Sequence, residues 1–253
     1  MARVRAHLLN RAMALYWHLL DAPWPRRLRG GTCFAVRTSQ RLFGVTAAHV
    51  IRDYEASKER GAPLVVQLCD MLFNIEGAII AIDDGLDVAT FELTEEQLRV
   101  VRREAFNVGA DWPPPAPVAG DMIGIIGFPE VMRERLSSQH SVFKAYAAFE
   151  FLQDIGEREL VLAVDPEQFQ YAVTETGMPP IDLNLSGASG GPAVLYRVVD
   201  GIVSCWPVAA ITQGKGTASD GATTGFVMIR CRRIDMLKAD GSLAPDNTHW
   251  LPT

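Results

Sequence analysis

Cysteine is scarce in this chain. Four occur among 253 residues, Cys33, Cys69, Cys205 and Cys231, and no two of them form a C-x-x-C pair. No histidine lies beside them at zinc-ligand spacing, so neither a metal site nor a cofactor is expected. All four sit in apolar runs, which reads as buried free thiols in a reducing, cytoplasmic compartment. Long apolar runs are missing as well, so no transmembrane segment is expected. Bulk positive charge is missing too: 24 Lys and Arg face 30 Asp and Glu, a net charge of −6. That balance argues against a nucleic-acid partner.

What remains is a normal globular composition, 48% hydrophobic and 21% charged, with length for one large domain or two small ones. The charge is uneven: residues 1–30 hold six arginines against the single acid Asp21. The opening "MARVRAHLLNRAMALYWHLLDA" starts like a signal peptide. Arg11 and His18 interrupt its apolar segment, however, and Asp21 stands where a small-residue cleavage site belongs. An amphipathic helix is expected instead, in an N-terminal arm over 1–28. Its apolar face would carry Leu8, Leu9, Met13, Tyr16, Trp17 and Leu20. Packing on its own domain is one reading of that face; contact with a partner or a membrane surface, favoured by the arginines, is the other.

Beyond residue 28 the texture is that of strands. "TCFAVRT" and "LFGVTAA" flank "SQR" like a hairpin, and "LVVQLCDMLFNI", "GAIIAIDD" and "DVATFEL" follow. Thr94, with Glu95 and Glu96 behind it, starts a helix. The Pro-rich stretch Asp111 to Asp121 reads as an extended linker. A second strand-rich half follows: "MIGIIGF", "SVFKAYAAFEFL", "RELVLAV", "FQYAV", "GPAVLY", "PVAAIT" and "GFVMIRC". "RRIDMLKA" then suggests a short C-terminal helix. The expectation is an all-β protein with two antiparallel β-barrels, residues 29–112 and 113–239, and a tail over 240–253. No internal repeat is visible in residue identity.

Three phrases carry chemistry. "LSGASGGPAV" packs small residues around Ser189, as a turn that cradles a nucleophile would. "FGVTAAHV" sets His49 directly after a strand. "DDGLDVATFEL" sets Asp87 at the start of one, where a partly buried carboxylate needs a hydrogen-bond donor. Singly each has an ordinary explanation, a loop serine, a structural histidine and a turn aspartate. Together, with "GTCFAV", "TAAHV", "DVATFEL", "GIIGFP" and "SGASGGPAV" in this order, the chain resembles the trypsin-like (chymotrypsin-fold) serine peptidases of the bacterial or intracellular type. The resemblance covers about Gly30 to Ala239.

That resemblance implies a triad of His49, Asp87 and Ser189, and an oxyanion hole made by the N–H groups of Gly187 and Ser189. It implies a protein or peptide substrate cleaved through an acyl-enzyme. It places the primary pocket among Asp182, Leu183, Asn184, Thr212, Gly214 and Gly225. Ala188 departs from the secreted animal enzymes, where an aspartate before the serine accepts a new N-terminus, so zymogen activation of that kind is not expected. The alternative is a non-catalytic or latent protein on the same fold, acting as a binding module or awaiting a partner.

Overall fold

The computed structural model of the chain describes residues 2–20, 28–59, 63–137, 140–164, 184–216 and 227–244. The described chain is mostly β. The first sheet holds β1 (Ala12–Leu19), β2 (Arg29–Thr38), β3 (Leu42–Thr46), β4 (Leu64–Leu68), β5 (Met71–Leu72), β6 (Ile79–Asp83), β7 (Val88–Glu92) and β8 (Phe106–Gly109). Its order is β5-β4-β1-β2-β3-β7-β6, with β8 parallel on the free end of β2. The second half contributes β9 (Met122–Gly127), a separate hairpin of β10 (Arg133–Arg135) and β11 (Ser141–Phe143), and β12 (Tyr146–Phe151). It continues with β13 (Asp154–Ile155), β14 (Glu159–Val164), β15 (Pro192–Val199), β16 (Ile202–Gly216) and β17 (Val227–Arg233). The second sheet runs β12-β9-β15-β16-β17-β14-β13. Among the described residues three α-helices accompany them: α1 (Ala2–Leu9), α2 (Ala48–Lys58) and α3 (Glu95–Val100).

The two sheets share one connectivity. Counting only the longer strands, with β5, β8 and β13 as additions, the first sheet reads fourth-first-second-third-sixth-fifth and the second reads second-first-fourth-fifth-sixth-third. These are the same ring of neighbours opened at different seams, between β4 and β6 in one and between β12 and β14 in the other. At the second seam Gln153 N donates to Val161 O at 3.3 Å. Each sheet has its own apolar core, the first around Leu15, Phe91 and Leu98, the second around Ile123, Leu162 and Leu195. A third core joins the sheets, with Phe34, Phe43 and Phe106 packed against Ile126, Val194 and Ile234.

The N-terminal arm differs from expectation. The helix stops at Leu9, and Ala12–Leu19 is a strand between β2 and β4. The pattern explains the difference. Met13, Leu15 and Trp17 face the first core, while Ala12, Ala14 and Tyr16 face the core between the sheets. A strand buried on both faces is apolar at every position, so it imitates a helix with a broad apolar face. Met13 and Trp17 are therefore interior residues and offer nothing to a partner or a membrane surface. No described helix is long and apolar enough to cross a membrane.

The expected C-terminal helix is also absent. Arg233 ends β17 and pairs with Asp235 two residues on, Nη2 to Oδ2 at 2.7 Å, with both side chains almost fully buried. A helix would turn residues two apart to different sides. Instead Ile234 N donates to Val208 O at 3.1 Å and Leu237 bridges Leu243. "FQYAV" lies outside the described residues. All four cysteines are free, with Cys33 and Cys231 buried, and burial pushes each thiol up.

Thr94 caps α3 as expected, and Gln97 completes a reciprocal pair. Gln97 N donates to Thr94 Oγ1 at 3.2 Å, and Thr94 N donates to Gln97 Oε1 at 2.8 Å. Thr94→Ala is expected to cost about 1 kcal/mol. A urea titration reads this as a lower midpoint at unchanged slope.

Candidate active site

The site begins with the end of β3. Thr46 Oγ1 donates to Thr32 O at 2.8 Å, tying β3 to β2, and the buried residues Ala47 and Ala48 lead into α2. Ala47 has no capping side chain, so the first turn of α2 has unsatisfied N–H groups. Asp87 meets one of them from across the sheet: His49 N donates to its Oδ1 at 2.9 Å. The His49 ring joins the same carboxylate, with Nδ1 3.0 Å from Oδ1 and 2.9 Å from Oδ2. A carboxylate is only an acceptor, so Nδ1 carries the proton and Nε2 is left as the basic nitrogen.

Asp87 reaches this position through its backbone. Its φ of 52° lies in the left-handed region, which aspartate tolerates better than most residues. It closes the turn that follows β6, where Leu86 N donates to Asp83 Oδ1 at 2.9 Å. A second clamp holds the same turn to α2. Arg52, one helical turn after His49, places Nε 2.8 Å from Asp84 Oδ1 and Nη2 2.9 Å from Asp84 Oδ2.

The hydrogen bond that His49 donates to Asp87 raises the His49 pKa above its ordinary 6.5. Desolvation opposes the rise, and the negative charges of Asp87 and Asp53 add to it. The His49 side chain is 44% exposed and that of Asp87 24%, so the imidazole faces outward while its acid is half-buried.

Ser189 comes from the other half. The turn before β15 is closed by Ala188 N to Leu185 O at 2.8 Å and by Gly191 N to Ala188 O at 2.9 Å. It docks on the edge of β2 that β3 leaves open before Phe34, where Thr32 N donates to Ser189 O at 2.8 Å. Gly190, at φ +84°, passes so close that a Cβ there would lie 2.2 Å from Thr46 Oγ1 and 2.9 Å from Ala47 N. A Cβ on Gly31 would lie 2.6 Å from Val50 Cγ2 and 2.9 Å from Ser189 O. Gly190 thus lies against the end of β3, and Ser189 O and the Val50 side chain meet around Gly31. Ser189 is half-buried, and among the described residues its Oγ makes no hydrogen bond.

The turn's amides divide into two groups. Ala188, Gly190 and Gly191 donate to Leu185, Ile211 and Ala188 respectively. Gly187 and Ser189 donate to nothing among the described residues. Gly187 has φ +92°, and its peptide is held by Glu130 N donating to Ser186 O at 2.7 Å. In a trans peptide the N–H opposes the C=O, so the Gly187 N–H points away from Glu130. A side chain at Gly187 would meet Phe128 O at 2.8 Å.

Thr32 links these parts, and nothing in its sequence context marks it for that role beyond its place in "GTCFAV". It is fully buried, and its hydroxyl donates to Gly187 O at 2.8 Å while accepting from Phe128 N at 3.0 Å. Gly127 in "GIIGFP" has a similar function. A Cβ there would sit 2.5 Å from that of the buried Ala188, so the glycine makes room for the turn.

The expected pocket residues are less informative. Asp182, Leu183 and Gly225 lie outside the described residues. Asn184 is exposed, and its Oδ1 accepts from Ser186 N at 2.9 Å. Thr212 donates to Arg230 O at 3.3 Å beside the irregularity in β16, and Gly214 pairs with Ile229. These contacts are local ties within the turn and the sheet.

A base with its tautomer set, a nearby serine and two free amides on a turn suit nucleophilic attack on a carbonyl. No protein-family model matches the chain, and no curated protein matches it.

Proposed function

We propose that the chain is a trypsin-like serine peptidase, a hydrolase that cuts peptide bonds through an acyl-enzyme. The observation that carries this reading is the His49–Asp87 pair set beside a turn whose two undonated amides belong to Gly187 and Ser189. The shared ring connectivity of the two sheets supports a double barrel with the site between its halves.

In this mechanism Ser189 Oγ attacks the scissile carbonyl as His49 Nε2 takes its proton. Asp87 holds the ring and stabilises the imidazolium. The negative oxygen of the tetrahedral intermediate accepts from the Gly187 and Ser189 N–H groups, each such donor being worth about 10²–10³ in turnover. His49 then gives the proton to the leaving amine. Water, activated by the same base, releases the acyl group and restores Ser189.

A latent form of the same peptidase is the second reading, favoured by the lack of a hydrogen bond from Ser189 Oγ. One experiment separates the two. The folded chain is treated with a fluorescent fluorophosphonate, digested and mapped by mass spectrometry. Adduct on the Ser189 peptide is the expected result. A folded chain that takes no probe, or takes it on another residue, overturns the active-peptidase reading.

A further inference from the structure

Beside the candidate oxyanion turn stands a buried cation that the mechanism does not use. Arg133 opens β10, and its side chain is only 8% exposed. Three contacts fix it. Nη1 donates to Leu28 O at 2.9 Å, just before the Gly30–Gly31 pair of β2. The guanidinium lies over the Phe143 ring, 5.1 Å from its centroid, and Phe143 leans on Tyr16 at 4.5 Å. Glu130 Oε1, its neighbouring carboxylate, is 3.4 Å from Nη1.

Among the described residues the rest of the guanidinium makes no hydrogen bond. Nε is buried without a hydrogen bond. Nη2 makes none among the described residues and is not shut off from solvent. It lies 3.1 Å from where a Cβ on Gly187 would be, so it flanks the turn whose amides face the reacting carbonyl. Desolvation holds this guanidinium below the ordinary arginine range. Burying a cation with most of its donors unused is costly unless an anion completes the site. A planar guanidinium fits a carboxylate best.

We propose that Arg133 reads a carboxylate of the substrate through Nη2, so that the preferred substrates are polypeptides with an acidic side chain flanking the scissile bond. This inference rests on the peptidase reading. Arg133 is a specificity-determining residue, and the surrounding aromatic and carbonyl contacts set its reach.

The test uses two fluorophosphonates that differ only in a terminal carboxylate or carboxamide, made with short and longer arms. The ratio of their reaction rates with the full chain is read. A charge-assisted hydrogen bond predicts a ratio of about tenfold or more in favour of the carboxylate with one of the arms. Arg133→Gln brings that ratio to about one, and Arg133→Glu inverts it. Glu130→Gln, which leaves Arg133 in place and removes the competing carboxylate, raises it. A native ratio near one with every arm, or a ratio that survives Arg133→Gln, overturns the inference and leaves the peptidase reading standing. If neither probe reacts with the folded chain, the peptidase reading fails and the inference falls with it.

Discussion

His49→Ala is expected to lower the rate of fluorophosphonate reaction and of peptide cleavage about 10⁶-fold, with the fold intact. The ring is exposed at the surface of the site, so its loss falls mainly on the chemistry. Asp87→Asn should cost about 10⁴-fold, because an amide offers a donor where Nδ1–H needs an acceptor and the ring turns its wrong nitrogen to Ser189.

The pH dependence distinguishes these losses from general damage. His49 works as a base only when neutral, so the native rate should rise with pH through a midpoint above 6.5. Asp87 is the largest cause of that elevation. In Asp87→Asn the residual activity should therefore show its acid limb at lower pH, since desolvation then acts without its main opponent. The same link has a stability side. Below the unfolded value His49 is charged in both states and its bond to Asp87 contributes in full. That contribution is lost as the pH rises through the higher folded value. An acid limb at the same pH in the native chain and in Asp87→Asn would sink this account.

Gly190→Ala should be the most damaging small substitution in the turn. The backbone is left-handed at φ +84°, and the added carbon would stand 2.1 Å from Thr32 O and 2.2 Å from Thr46 Oγ1. Both neighbours belong to the buried junction of β2 and β3, so neither can give way without breaking the Thr46–Thr32 bond. A loss of about 3 kcal/mol or more is expected, with loss of labelling at Ser189. Gly201→Ala supplies the comparison. It has the same hand, φ +77°, but an added carbon would meet nothing within 4 Å. Its cost should stay near 1 kcal/mol. Chemical denaturation of both variants checks the contrast, and equal losses would mean that φ alone, and not the close approach, governs Gly190.

Much of this was legible in the sequence, for identifiable reasons. Strands β2, β3, β9 and β15 are bounded by turn residues and could be placed from them. His49, Asp87 and Ser189 stood out because each sits at the edge of a strand within a distinctive phrase, and the fold does join His49 to Asp87. What escaped was set by partners far along the chain. β1 looked helical because both of its faces are buried, which only β2 and β4 on its two sides make evident. The Arg233–Asp235 pair replaces a helix through burial that no local pattern encodes. Arg133 carries no local signal and Thr32 none beyond its place in "GTCFAV", since their importance lies in Gly187, 54 and 155 residues away.

The closure of the Ser189 turn also fixes when the site can exist during synthesis. His49, Asp87 and Thr32 leave the ribosome early, within one sheet. The turn needs Gly190 N on Ile211 O and Ile211 N on Gly191 O, and β16 in turn needs β17. At translation rates of roughly 5–20 residues per second, that interval lasts on the order of ten seconds. On the proposed reading, a nascent chain therefore displays its base and its acid with nothing to activate, and the chemistry starts only when the second sheet is nearly complete.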